Sequence, residues 1–350
     1  MDKMFSGKTI IFLLAAISAP LMFSGCISTP VAPCRPAAMP ALRVDDAAAA
    51  KRKAAFRQAV KQSPVRGVIV YPGSWKEFTA DDVVKRAASY NFNRIYFVIS
   101  SEEELDSRLE DLLESSVKNA IAPYVVVRQR DYFNRYRGNA FVRLFLKRYP
   151  DAVEVCRQAS ELITPYKGTV VMLIEPHRFT SAEQRRGGID SCFIWGDFNF
   201  GAGMDNDMLM KKSLSDAAEA GKKSAQFIPA IADFYHEWAA SGKLSAGKID
   251  EVAKLAVGKP EVLLLSTGNK PSAMAEGIKN EFAAAKCKII PVFIVGDHLS
   301  EDTARFRRRN FSDFVRGIGY GHSRLSGKKA YGGFVTGPLR ALEYMSYEKE

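Results

Sequence analysis

The sequence predicts an α/β domain of the (β/α)8 TIM-like barrel class, a single large domain preceded by a signal peptide and a tether. Three observations carry this expectation. Apolar, β-branched runs alternate with amphipathic stretches through most of the 350 residues. The runs are continuous rather than alternating, the pattern of parallel strands buried on both faces. Eight strand–helix units fit the length that remains after the N-terminal region, as a barrel of ordinary size requires.

The elements follow in order. Gly67–Tyr71 is the first run, and a helix is expected over 80–90 with Thr79 as its N-cap. Arg94–Ile99 is the second run, followed by a charged helix over 101–119. Pro123–Val127 is the third, with helix over 140–164, and Thr169–Ile174 is the fourth. Cys192–Trp195 is assigned as the fifth, and the stretch 206–257 as mostly helical. Val262–Leu265, Ile289–Val295 and Gly332–Val335 complete the set, with helices expected over 272–286, 300–316 and 339–347. An open doubly wound sheet is the competing architecture. It usually has a Gly-rich first turn, and Tyr71-Pro72-Gly73-Ser74-Trp75 has no G-x-G-x-x-G.

The N-terminus differs from the rest. Lys3 and Lys8 precede an uncharged run over 9–23, too short for a membrane span and suited to the core of a signal peptide. Ser24-Gly25-Cys26 follows, which resembles the bacterial lipobox, with Phe23 where that pattern prefers an aliphatic residue. The resemblance implies cleavage after residue 25 and a lipid on Cys26, an anchor rather than a span. Residues 1–25 are thus expected to be a signal peptide, 26–44 a lipidated cysteine and Pro/Ala-rich tether, and 45–350 the barrel. Ile27 after the cysteine implies, by resemblance to enterobacterial sorting, an outer-membrane or surface location.

Composition narrows the partners. Hydrophobic residues at 47% and charged residues at 25% are ordinary for a chain that buries a core. The net charge is +11, which admits anionic lipid or acidic glycan as partners; nucleic acid is not expected for an extracytoplasmic lipoprotein. Cys34, Cys156, Cys192 and Cys287 show no Cys-x-x-Cys spacing, so no zinc site or other cofactor is expected, and both disulfides and buried thiols stay open.

In a barrel the working residues follow the strands. Those positions hold Tyr71 and Trp75, then Arg128, Asp131 and Tyr132, then Glu175 and His177. Asn199, Asn269 and the pair Asp297 and His298 follow the later runs. Carboxylates and amides bond hydroxyls and aromatic faces cover sugar rings, so this rim suits a glycan. His236 lies in a helical apolar pattern and reads as packing.

Leu173-Ile174-Glu175-Pro176 resembles the fourth-strand end of retaining barrel glycoside hydrolases, where a Glu-Pro pair carries the acid/base. Ile174 stands where that family has Asn, and Asp297 where it has a seventh-strand Glu. The resemblance implies Glu175 as acid/base and Asp297 as nucleophile, with Asp131 in reserve, acting on an extracytoplasmic glycan. Trp75, Tyr71, Arg128, Tyr132, His177, Asn199, Asn269 and His298 are the expected substrate contacts. Two alternatives stand beside it. One is a non-catalytic lipoprotein that binds glycan or a partner; the other is a metal-dependent hydrolase built on His177 and His298.

Overall fold

The computed structural model describes residue 61 and residues 63–99, 101–129, 151–174, 206–232, 245–265, 279–294, 319 and 322–343. All belong to one compact unit spanning Val44–Glu350. The expected signal peptide and tether, including Cys26, lie outside the described residues.

Eight parallel strands close in sequence order into a TIM barrel. They are β1 (Val65–Val70), β2 (Arg94–Ile99), β3 (Ala122–Arg128) and β4 (Thr169–Ile174), then β5 (Phe227–Ala232), β6 (Glu261–Leu265), β7 (Lys288–Ile294) and β8 (Gly333–Gly337). Closure comes from β8 pairing with β1, from Val65↔Gly333 to Val68↔Thr336. Between strands run α1 (Ala80–Ser89), α2 (Ser107–Lys118), α3 (Ala152–Ile163), α4 (Asn206–Lys222), α5 (Ala246–Ala253) and α6 (Lys279–Ala284); α7 (Leu339–Glu343) follows β8.

Helix starts are set by short polar side chains, which accept the amide protons that a first turn leaves unpaired. Thr79 accepts from the Asp82 amide at 3.1 Å, as the sequence suggested. Asp106, Asp151 and Ser245 do the same for Leu109, Glu154 and Lys248. Asp106 therefore starts α2 at Ser107, and the expected helix over 101–119 is preceded by a separate 3-10 turn over Glu102–Glu104.

The fifth strand is the correction. It is Phe227-Ile228-Pro229-Ala230-Ile231-Ala232, inside the stretch read as helical, and not Cys192–Trp195, which lies outside the described residues. Ile228 and Ala230 face the barrel interior, and the strand pairs with β4 from Val170↔Phe227 to Ile174↔Ile231. A proline inside a strand usually argues against one, which is what hid β5.

The strands separate two cores. Outward residues such as Val68, Phe97, Val125, Val170 and Leu264 pack under the helices. Inward residues such as Ile69, Tyr96, Val126, Leu173, Leu263 and Val335 fill the barrel. The fill is tight at Gly67, where a Cβ would meet Tyr96 Cε2 at 2.6 Å and Val335 Cγ2 at 2.7 Å. Gly333 has φ +115, and a Cβ there would lie 2.2 Å from the Val65 carbonyl oxygen. Only glycine lets β8 come this close to β1.

The end of the barrel where strands begin is plugged. Arg94 on β2 donates to Glu261 on β6 through Nη1–Oε2 at 2.7 Å and Nη2–Oε1 at 3.2 Å. The Tyr96 and Tyr124 rings stack at 4.6 Å above the pair, and the Arg94 guanidinium lies 5.1 Å from the Tyr124 centroid. Burial works against the Arg94 charge, and its partners Glu261, Tyr96 and Tyr124 together outweigh it, so its pKa stands above the ordinary arginine value. Burial drives the Tyr96 and Tyr124 hydroxyl pKa values up and keeps both phenols neutral.

Candidate functional site

The opposite end, where strands finish, is the mouth at which barrels present their sites. Of the expected site residues, Tyr71, Trp75 and Arg128 are described. Asp131, Tyr132, Glu175, His177, Asn199, Asn269, Asp297 and His298 lie outside the described residues.

Tyr71 follows β1 on the inward-facing side of the strand and is 8% exposed. It caps the interior core beneath the mouth. Arg128 is the last residue of β3. It shares the inward side with Tyr124 and Val126, pairs in register with Leu173 and is half-buried. It thus sets a guanidinium above an apolar fill. The structure brings Tyr71 and Arg128 to the same rim, on strands separated by β2.

Trp75 departs from the expected rim platform. It sits in a 3-10 turn over Pro72–Trp75, is 1% exposed and belongs to the outer core. Its ring lies 5.2 Å from Phe78, with the Arg86 and Arg340 guanidinium carbons 5.9 and 5.7 Å from its centroid. Arg108 donates to the Trp75 and Phe78 carbonyls at 3.0 and 2.7 Å. Arg340 donates to the Ser74 carbonyl and pairs with Glu77 at 2.9 Å. These three arginines fix the segment leaving β1, and Arg340, from α7, ties it to the exit of β8. A ring so covered supports the wall of the mouth rather than a sugar face. Its Nε1–H is buried without an acceptor among the described residues.

Gln129, one position past β3, was not singled out by the sequence. It is buried, donates through Nε2 to Asp216 on α4 at 3.2 Å, and leaves Oε1 without a donor among the described residues. Placing β5 at 227–232 also reassigns the mouth. Asp197 and Asn199 belong to the connection after β4, and the residues next in sequence after β5 are Asp233-Phe234-Tyr235-His236-Glu237. That chemistry-bearing group, which includes the His236 read as packing, lies outside the described residues.

Among the described residues, no group of three or more His, Cys, Asp or Glu side chains could hold a metal. Cys156 and Cys287 are free, buried thiols; burial and the neighbouring Asp250 push the Cys287 pKa up to about 12. Cys34 and Cys192 lie outside the described residues. Among the described residues, no helix is long and apolar enough to cross a membrane.

No protein-family model matches the chain, and no curated protein matches it. Among solved structures it is similar to "a putative phosphonomutase from Burkholderia cenocepacia J2315", at 10% identity and a TM-score of 0.36, covering 85% of this chain and 95% of that one. Against the expected glycoside hydrolase, with Glu175 as acid/base and Asp297 as nucleophile, stands this finding, whose description names a phosphonomutase. That expectation stepped from barrel to glycosidase, and a fold does not fix a chemistry. A likeness this distant transfers no activity to the present chain. The eight strands closed in parallel establish the fold by themselves: the chain is a TIM barrel.

Proposed function

We propose that the protein is a cell-envelope lipoprotein, anchored through Cys26 at the outer membrane or cell surface, whose barrel mouth binds an anionic ligand. Arg128 carries the ligand reading. A half-buried guanidinium at the end of β3, facing inward over an apolar core, has five donors, and those its contact within the protein leaves over suit a carboxylate or phosphate. Partial desolvation strengthens that attraction relative to the same charge in water. Tyr71 supplies a flat, largely covered surface at the same rim, against which a ligand ring or chain can rest. The anchor reading is supported by Ser24-Gly25-Cys26 placed directly after the apolar run.

Calorimetric titration of the full chain against glucuronate, phosphate and uncharged glucose tests the ligand reading. Binding of either anion with none of glucose is expected, weakened at least tenfold by Arg128→Met. Glucose bound as tightly as glucuronate, or no effect of the substitution, overturns it. Mass analysis of the membrane-extracted protein tests the anchor: a diacylated N-terminal cysteine is expected, and none in the Cys26→Ser variant.

A further inference from the structure

Among the described residues, the strand-start end of the barrel is a concentration of positive charge. Every connection that leads from a helix into a strand arrives at the end where strands begin. The described connections are 63–64, 90–93, 119–121, 164–168, 223–226, 254–260, 285–287 and 326–332. They hold seven lysines and neither aspartate nor glutamate. Lys167, Lys254, Lys259, Lys286, Lys328 and Lys329 are exposed and form no ion pair among the described residues; Lys223 pairs with Glu219 at 2.9 Å. Three of the nearby acids are engaged. Glu261 is held by Arg94, Glu251 by Lys248, and Asp250 accepts from the backbone amides of Lys286 and Cys287. At the mouth the described charges are mixed: Glu102, Glu103, Glu104 and Asp106 in the segment 101–106, with Lys76, Arg108, Arg128 and Arg340 around them.

Compensation of helix dipoles does not account for this. The C-termini of α1–α6 point to the basic end, each worth roughly half a negative charge, or about three in all. Six unpaired lysines exceed that. The same end also carries the two large aliphatic side chains that the described surface leaves exposed, Val117 at 50% and Val257 at 36%. Val257 lies in Lys254-Leu255-Ala256-Val257-Gly258-Lys259, between two lysines, while Leu255 beside it packs on the core. Lysine heads around apolar tips are the chemistry of a bilayer surface. The chain also enters here, through Ser63-Pro64 into β1. A lipid on Cys26, 37 positions earlier, would tether the chain through this end.

We propose that the strand-start end of the barrel docks on an anionic bilayer, with Lys254, Lys259, Lys286, Lys328 and Lys329 over the headgroups and Val257 in the interfacial layer. The mouth then faces away from the membrane. The orientation rests on the anchor reading above; the affinity of the face for anionic lipid does not.

The test is amine-reactive labelling of the full chain, read by mass spectrometry, with phosphatidylcholine vesicles and with vesicles one-third phosphatidylglycerol. Severalfold protection of Lys254, Lys259, Lys286 and Lys328 is expected with the anionic vesicles alone. High salt should abolish it, and Lys76, beyond the end of β1, and Lys85, midway along α1, should label unchanged. The double substitution Lys254→Glu and Lys259→Glu should lower partition onto these vesicles more than tenfold, at about fivefold per lysine, with an unchanged melting curve. Equal protection of Lys76 and Lys85, or equal protection by neutral vesicles, overturns the proposal. So does a DNA oligonucleotide that protects the same lysines more strongly than the vesicles. The Cys26→Ser variant separates the two readings: protection that persists in it upholds the docking face, whether or not the wild type carries lipid. Protection that vanishes in it leaves the anchor standing and removes the face.

Discussion

At the residue scale, His322 sits where the chain enters the barrel. Its Nδ1 lies 3.0 Å from Ser63 Oγ and 2.9 Å from the Tyr331 hydroxyl, and its ring meets the edge of Phe334. The direction of these bonds depends on the tautomer: Nδ1 accepts from a hydroxyl when the proton is on Nε2 and donates to one when it carries the proton itself. Burial lowers the His322 pKa below the ordinary 6.5, so the fold prefers the neutral ring. As pH falls, the unfolded chain takes up this proton first. The contribution of His322 is therefore complete above about pH 6.5 and is lost as the pH drops through the lowered folded value. Urea midpoints from about pH 7.5 to about pH 5 should fall more steeply for the wild type than for His322→Gln. Parallel curves would remove His322 from the pH response.

The plug makes a second prediction at this scale. Arg94→Met leaves Glu261 charged and nearly buried, and should cost about 3–5 kcal/mol; the double variant with Glu261→Leu should recover most of it. Urea unfolding of the single and double variants measures the coupling.

At the element scale, legibility followed strand composition. β2 and β4 were read at their observed ends because Arg94–Ile99 and Thr169–Ile174 are unbroken β-branched and apolar runs. β5 was not, because Pro229 interrupts it and Ala230 and Ala232 suit a helix, while the Ala/Lys-rich α4 before it extended the helical pattern. The site inherits such errors directly. The residues assigned to the mouth are counted from strand ends, so moving one strand replaced Asn199 with the segment starting at Asp233. Trp75 was misread for another reason: sequence places it past β1 but does not show that Arg86, Arg108 and Arg340 converge on that turn from three other segments. Arg128 was legible because it ends an unbroken run, Tyr124–Val127, whose alternation fixes its direction.

Packing of the interior also belongs to this scale. Gly67→Ala pushes a methyl into Tyr96 and Val335 and should destabilise by about 1–3 kcal/mol through overpacking. Tyr96→Leu in the same chain should relieve part of that cost. Thermal melts of the two variants decide it; a Gly67→Ala chain as stable as the wild type would show that the ring moves aside freely.

At the scale of the whole molecule, closure is the property that matters. β8 is only five residues long, yet it completes the sheet through Gly333 and Gly337. A chain ending at Gly332 exposes the edges of both β1 and β7. It should lose its cooperative unfolding transition rather than show a shifted one, as circular dichroism and fluorescence melts would report. A cooperative melt from the shortened chain would mean that seven strands hold the core unaided.

The plug beneath Tyr96 and Tyr124 gives the barrel one more property: it is a cul-de-sac. With Arg94 and Glu261 locked across the far end, a ligand resting between Tyr71 and Arg128, as proposed above, would leave by the way it came. A site with one way in and out is expected to hold one ligand at a time. Two competing ligands exchange through the vacant protein, so the departure rate of one should not change with the concentration of the other, however much of the newcomer waits outside.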